Sequence, residues 1–141
     1  MSIVYLIDPD PGVTYVVWDG TITADQWMTH VRRLLSDPDW PPAARLHLSD
    51  LRTATIDASI DDGVLKKAVE LFGQHPNIAN LRVAIVAGGE LHRAGIFERL
   101  SMRYPMFVFS FNTLRPACEW LGIDADQAER ILRPLRNQSR R

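Results

Sequence analysis

Cysteine is almost absent. Cys118 stands alone in 141 residues, so neither an internal disulfide framework nor a cysteine-based zinc cluster can form. The four histidines, His30, His47, His75 and His92, fall in four separate segments. Apart from the neighbouring Glu90 and His92, none has a carboxylate or second histidine at ligand spacing, and neither a metal nor a cofactor is expected. No apolar run approaches the roughly 18 residues of a spanning helix, so no membrane partner is expected. The opening stretch, MSIVYLIDPDPG, has no basic region followed by a long apolar one, and the expectation is a cytoplasmic protein. Net charge is missing too: 16 Lys+Arg against 17 Asp+Glu gives −1, which excludes a general polyanion binder, so no nucleic-acid partner is expected. The chain also lacks a Gly-x-Ser-x-Gly elbow, a Walker A sequence and a Gly-x-Gly-x-x-Gly fingerprint. No enzymatic activity is expected, although triads assemble in space and spacing alone leaves Ser-His-Asp chemistry open.

What is present is an ordinary globular composition, 46% hydrophobic and 23% charged, of a length that suits one domain. The −1 hides a separation of signs. Residues 1–62 hold ten Asp and four Arg, giving −6, and residues 63–141 hold twelve basic and seven acidic residues, giving +5. Two readings stand: a plain solvated surface, or a charge dipole used in self-association or partner docking.

Hydrophobic periodicity gives the order β-β-α-β-α-β-α-β-α-α. Ile3–Ile7 and Val13–Trp18 flank the turn formers Asp8-Pro9-Asp10-Pro11-Gly12 and predict an opening hairpin that ends at Asp19-Gly20. Thr23 and Gln26 form a capping-box pattern ahead of a helix reaching about Ser36. Arg45–Leu51 is a short strand, Ser59 caps the second helix, and Leu81–Ala87 is a dense apolar strand. A third helix spans about Glu90–Met102, Met106–Phe111 is the last strand, and Thr113 opens a fourth helix closed by Gly122. A fifth begins at Asp124, and Pro134 should kink or end it near Arg133. The expected fold class is α/β. A single domain over residues 1–136 has a mixed, mainly parallel five-stranded sheet with packed helices, followed by a disordered basic tail at 137–141.

This order carries residues that resemble the STAS superfamily of anti-sigma-factor antagonists and the wider SpoIIAA-like or Sec14-like fold. They are Leu48-Ser49-Asp50-Leu51-Arg52, Ile56-Asp57-Ala58-Ser59, and Val108-Phe109-Ser110-Phe111 with Ala117-Cys118-Glu119-Trp120-Leu121-Gly122. The likeness runs from about Val4 to Ile123 and is greatest to small bacterial STAS/SEC14-domain proteins. It implies a regulatory, protein-binding module. It also implies a regulatory phosphosite at Ser59, beside Asp57, where the family carries a phosphorylatable serine. Ala58 and Ile60 depart from that family's Asp-Ser-Ser-Gly pattern, and Asp61 and Asp62 would repel a phosphate; the plain alternative is an N-cap.

Two further candidates come from the residues alone. Gly88-Gly89 joins the densest strand to a helix, at the sheet edge where ligands collect, with His92 and Arg93 close by as an anion or ligand edge. The third helix has a second apolar stripe, including Leu91, Gly95 and Met102, rimmed by Arg99 and Arg103, which nominates a homodimer contact or a pocket wall. Cys118 reads as a small core residue. His47, with Arg45 and Ser49, lies on the less apolar strand face, either ligand-lined or helix-covered. The functional expectation is a non-enzymatic interaction module under phosphate or ligand control, with its protein partner unnamed. The alternative is a small-molecule or lipid binder whose pocket lies between the sheet and the third and fourth helices, near Phe107, Phe109 and Phe111.

Overall fold

The structure is a computed structural model and describes residues 2–141. Strands β1 (Ser2–Asp8) and β2 (Val13–Ile22) form the antiparallel hairpin. They are followed by α1 (Ala24–Leu35), β3 (Leu46–Ile56), α2 (Asp62–Gly73), β4 (Arg82–Val86), a 3-10 turn (Gly88–Glu90), α3 (Leu91–Ser101), β5 (Phe107–Phe111), α4 (Leu114–Leu121) and α5 (Ala125–Ser139). The sheet order is β1-β2-β3-β4-β5, and every pairing after the hairpin is parallel. The α/β fold with a five-stranded mixed sheet is the one expected from the sequence.

Strand residues alternate between two faces, and each face is covered by its own helices. Val16, Trp18, Val83, Ile85 and Val108 pack against α1, α2 and α3. Val13, Tyr15, Val17, Leu48, Ala84 and Val86 pack against α4 and α5. All three parallel crossovers therefore cover one side, and the last two helices return across the other.

Local signals hold where their partners are local. Thr23 and Gln26 form the reciprocal capping box, and Gly122 adopts φ +76 at the end of α4. Three expectations are corrected. Strand β3 does not end at Leu51. Its register shifts between Val17↔Asp50 and Asp19↔Thr53, so Leu51 and Arg52 together oppose Trp18, and the strand continues to Ile56. Ser59 does not cap α2. Asp61 does, accepting from the Val64 N–H, because Ile60 and Leu65 must both be buried on either side of that cap, a hydrophobic-staple arrangement. The tail is not disordered from residue 137, and α5 runs through Pro134 to Ser139. Pro134 and Arg130 both lie on the exposed face, where water can take up the Arg130 carbonyl that the proline leaves unbonded.

Candidate functional site: an aromatic cavity under the first three helices

The α1–α3 side of the sheet is built from large flat rings. Trp18 (β2) lies 5.7 Å from Trp27 (α1), Trp27 lies 6.0 Å from Phe97 (α3), and Phe97 lies 6.4 Å from Phe72 (α2), all measured between ring centroids. Trp40, in the connection after α1, stands edge-on to Phe72 at 5.6 Å. Rings meet edge-to-face at such separations and cannot interdigitate as branched aliphatics do. Between them and the sheet they leave a cavity of about 80 Å³, floored by Leu51, Val83, Ile85 and Val108 and roofed in part by Ala94. Its wall is overwhelmingly apolar.

The polar groups on that wall are few and ordered. Trp40 donates its indole N–H to His47 Nδ1 at 3.3 Å, and His47 Nε2 lies 3.1 Å from Ser49 Oγ. Burial pushes the His47 pKa down to about 3, so the ring is neutral and carries one proton. Because Nδ1 is the acceptor, that proton sits on Nε2 and is donated to Ser49. The Ser49–His47 pair thus has hydrolase-like spacing with the wrong tautomer: a histidine that donates to the serine cannot take its proton. The relay instead delivers a string of donors, with Ser49 at its end. Ser49 lines the cavity, is incompletely buried although it sits on the central strand, and has no acceptor for its own hydroxyl proton among the described residues.

Three further groups complete the wall. His30 (α1) is buried edge-on to Tyr5, and burial, with Arg33 nearby, pushes its pKa down to about 4. The Trp18 indole N–H is buried and unpartnered among the described residues. Arg93 (α3) is held by the end of β3, donating through Nη1 to the carbonyls of Ile56 at 2.6 Å and Asp57 at 2.8 Å. Glu90, ending the 3-10 turn, accepts from the Ile56 N–H at 3.2 Å, so the turn and α3 together hold the end of β3.

The residues expected to form an anion edge are therefore spread apart. Arg93 is engaged with backbone carbonyls, Gly88 makes a φ +58 turn packed against Arg52, and Gly89 is free of close neighbours. His92 is exposed and borders a shallow groove that also contains Asp61 and Asp62. Ser59 is exposed, and its hydroxyl accepts from the Ala24 N–H at the start of α1, while its own N–H donates to the Asp57 carboxylate. The Ser59 hydroxyl first, and its backbone N–H second, with a smaller contribution from Arg93, hold the Asp57 pKa below the usual carboxylate range. The second stripe of α3 does not form a continuous face: Leu91, Arg99, Met102 and Arg103 are exposed, Gly95 is half-buried, and Ala94 is buried in the core.

The pocket near β5 is also differently placed. Phe107 and Phe109 are exposed, Phe109 meets Trp120 edge-on and Phe111 meets it at a tilt, and Arg82 lies over the Trp120 ring. The real cavity is on the opposite face of the sheet, beneath α1–α3. Cys118 is fully buried, and burial pushes its thiol up to about 11. No group of three or more metal-ligating side chains occurs among the described residues, and no helix among them is long and apolar enough to cross a membrane.

The separated charges meet within the chain. Asp50, buried on the α5 face, accepts from Arg52 at 2.8 and 2.9 Å and also pairs with Arg136. Arg52 reaches Glu129 at 2.7 Å, and Arg140 pairs with Asp19 at 3.0 Å. The basic C-terminal helix is thus bound to the acidic half of its own chain. With this geometry in place, comparison with known proteins yields no match: no family model, curated protein or solved structure matches the chain.

The cavity was only half legible. The weakly apolar face carrying His47 and Ser49 was visible as a strand alternation, but nothing local tied to it the tryptophans of three separate segments. The signal that could have found the site is their number: three of the four tryptophans line one cavity.

Proposed function

We propose that the protein is a non-enzymatic binding module that takes up a small apolar molecule in the aromatic cavity beneath α1–α3. The observation that carries this reading is an apolar cavity of about 80 Å³ lined by aromatic rings, with a directed hydrogen-bond relay on its wall. Cores close-pack to leave few voids larger than a water, and pockets combine apolar walls with a few placed polar groups. The volume is about half that of an engineered cavity known to take benzene, so a rigid fit suits a molecule of a few non-hydrogen atoms. A long acyl chain is not the favoured ligand.

Thermal-shift titration with small apolar molecules tests this, using Ala94→Leu to fill the cavity. A rise in Tm for the native chain that disappears in the variant supports the reading. A panel that shifts neither protein sinks it.

A protein-interaction module resembling STAS domains is the second reading, favoured by the edge strand β5. No strand lies beyond it, although Glu98 takes the Ser110 N–H at 2.8 Å, and Phe107 and Phe109 are about half exposed along it. Light scattering over a concentration series, alone and with Phe109→Asp, tests a homodimer at this edge. A constant monomer mass removes self-association.

A further inference from the structure

The direction of the cavity's hydrogen-bond relay specifies the chemistry of its ligand. Trp40 N–H points to His47 Nδ1, which forces the neutral ring to carry its proton on Nε2, and that proton points to Ser49 Oγ. Each hydroxyl oxygen has two acceptor sites and one donor. With His47 donating to it, Ser49 keeps its own proton to give, and no described residue accepts it. A histidine of the other tautomer would have made Ser49 donate back to the ring, leaving an acceptor facing the cavity. The indole of Trp40 rules that out, because it has a donor only.

We infer that the cavity selects small apolar molecules bearing one hydrogen-bond acceptor of the carbonyl type, which receives the Ser49 hydroxyl proton, over hydrocarbons of the same outline. A hydrocarbon fills the volume but leaves that donor unmet, whereas a carbonyl satisfies it. The ring assembly supplies affinity through apolar contact, and Ser49 supplies the discrimination. This inference rests on the cavity reading above, and the test separates their failures.

The test uses an isosteric pair, cyclobutanone and methylenecyclobutane, titrated into the full chain while the Trp27 and Trp40 indole N–H resonances are followed by NMR. The expected result is that both bind and the ketone binds roughly three- to tenfold more tightly, the equivalent of one neutral hydrogen bond. Ser49→Ala should abolish that preference while leaving hydrocarbon binding in place. Ser49→Thr, which keeps the hydroxyl, should preserve it and guards against a merely structural effect of losing the serine. Equal affinities in the native chain overturn the acceptor inference and leave the cavity reading standing. A preference that persists in Ser49→Ala overturns the role of Ser49. Failure of both molecules to perturb any cavity resonance overturns the cavity reading, and this inference with it.

Discussion

The two faces of the sheet solve the same burial problem in opposite ways. On the α4–α5 side the helices present Ala117, Cys118, Ala125 and Ala128 to Val13, Val17, Leu48 and Ala84. Small and branched side chains approach closely and interdigitate. On the α1–α3 side the contacts are between tryptophan and phenylalanine rings, and a cavity remains. The polar groups divide likewise. The α5 side buries full charges and neutralises them, with two guanidinium groups on Asp50. The α1–α3 side buries neutral histidines. One face is built to stay shut, and the other has volume and oriented dipoles to offer a guest.

The strongest way to break this comparison is to remove the charge on the closed side. Asp50→Asn leaves Arg52 with Glu129 alone and strips Arg136, only 13% exposed, of its counter-charge. Loss of one partner of a buried pair costs about 3–5 kcal/mol, so urea unfolding should show a drop of that order. The double change Asp50→Leu with Arg136→Leu should recover much of it, since the orphaned charge is then gone. A single variant as stable as the native chain would mean the cluster is not buried in solution.

On the open side the corresponding probe is pH. The folded-state pKa values of His30 and His47 lie near 4 and 3, below their ordinary 6.5. The unfolded chain therefore binds more protons below pH 6.5, and stability rises with pH through that window. The contribution is intact above about 6.5 and is lost as pH falls towards 4 and below. Between pH 7.5 and 4.5 each histidine should remove about 2 kcal/mol. His30→Gln should flatten the slope by close to one proton, and a native stability independent of pH over that range would contradict neutral burial.

The same substitution made on both faces should have opposite signs. Ala128→Leu puts extra methylenes against a layer with no space, since Ala128 is 0% exposed and packed in the α4–α5 core, and should cost about 1–3 kcal/mol. Ala94→Leu enters the cavity and should stabilise by about 0.5–2 kcal/mol. Chemical denaturation of the two variants measures both. Equal losses would show that the cavity collapses and offers no usable space.

Legibility in the sequence followed the range of the interactions. The capping box of Thr23 and Gln26 spans three residues and was readable, as was the positive φ of Gly122. The strand expected at Arg45–Leu51 stops just short of Arg52, whereas Asp50 and Arg52 both lie inside β3. Their counter-charges lie on α5, and Arg136 is 86 residues from Asp50, so only the fold reveals that the charges are satisfied inside the sheet. The register shift at Leu51 and Arg52 leaves no local mark either. The cavity had the same problem: His47 and Ser49 signalled a polar stripe, but what covered it depended on Trp18, Trp27 and Trp40 arriving from three different segments.

The smallest expected effect lies at the rim of the open face. Ser59 was read as the cap of its own helix, yet its hydroxyl accepts the Ala24 N–H at 2.9 Å and so caps α1 from 35 residues away. It supplements Thr23, whose side chain accepts from Gln26, and satisfies a second of the free N–H groups that every helix start presents. Ser59→Ala should therefore weaken α1 rather than α2. Because the bond is exposed and one cap remains, the loss should be about 0.5–1 kcal/mol. Hydrogen exchange can locate it: protection should fall at the first turn of α1, beside Trp27 and the cavity wall, and stay unchanged at Val64, which Asp61 caps. Lost protection at Val64 instead would return Ser59 to the role of an ordinary α2 cap. The predicted pattern would make the 57–61 loop a clasp on the helix that carries Trp27 and His30, tying the rim of the open face to its aromatic wall.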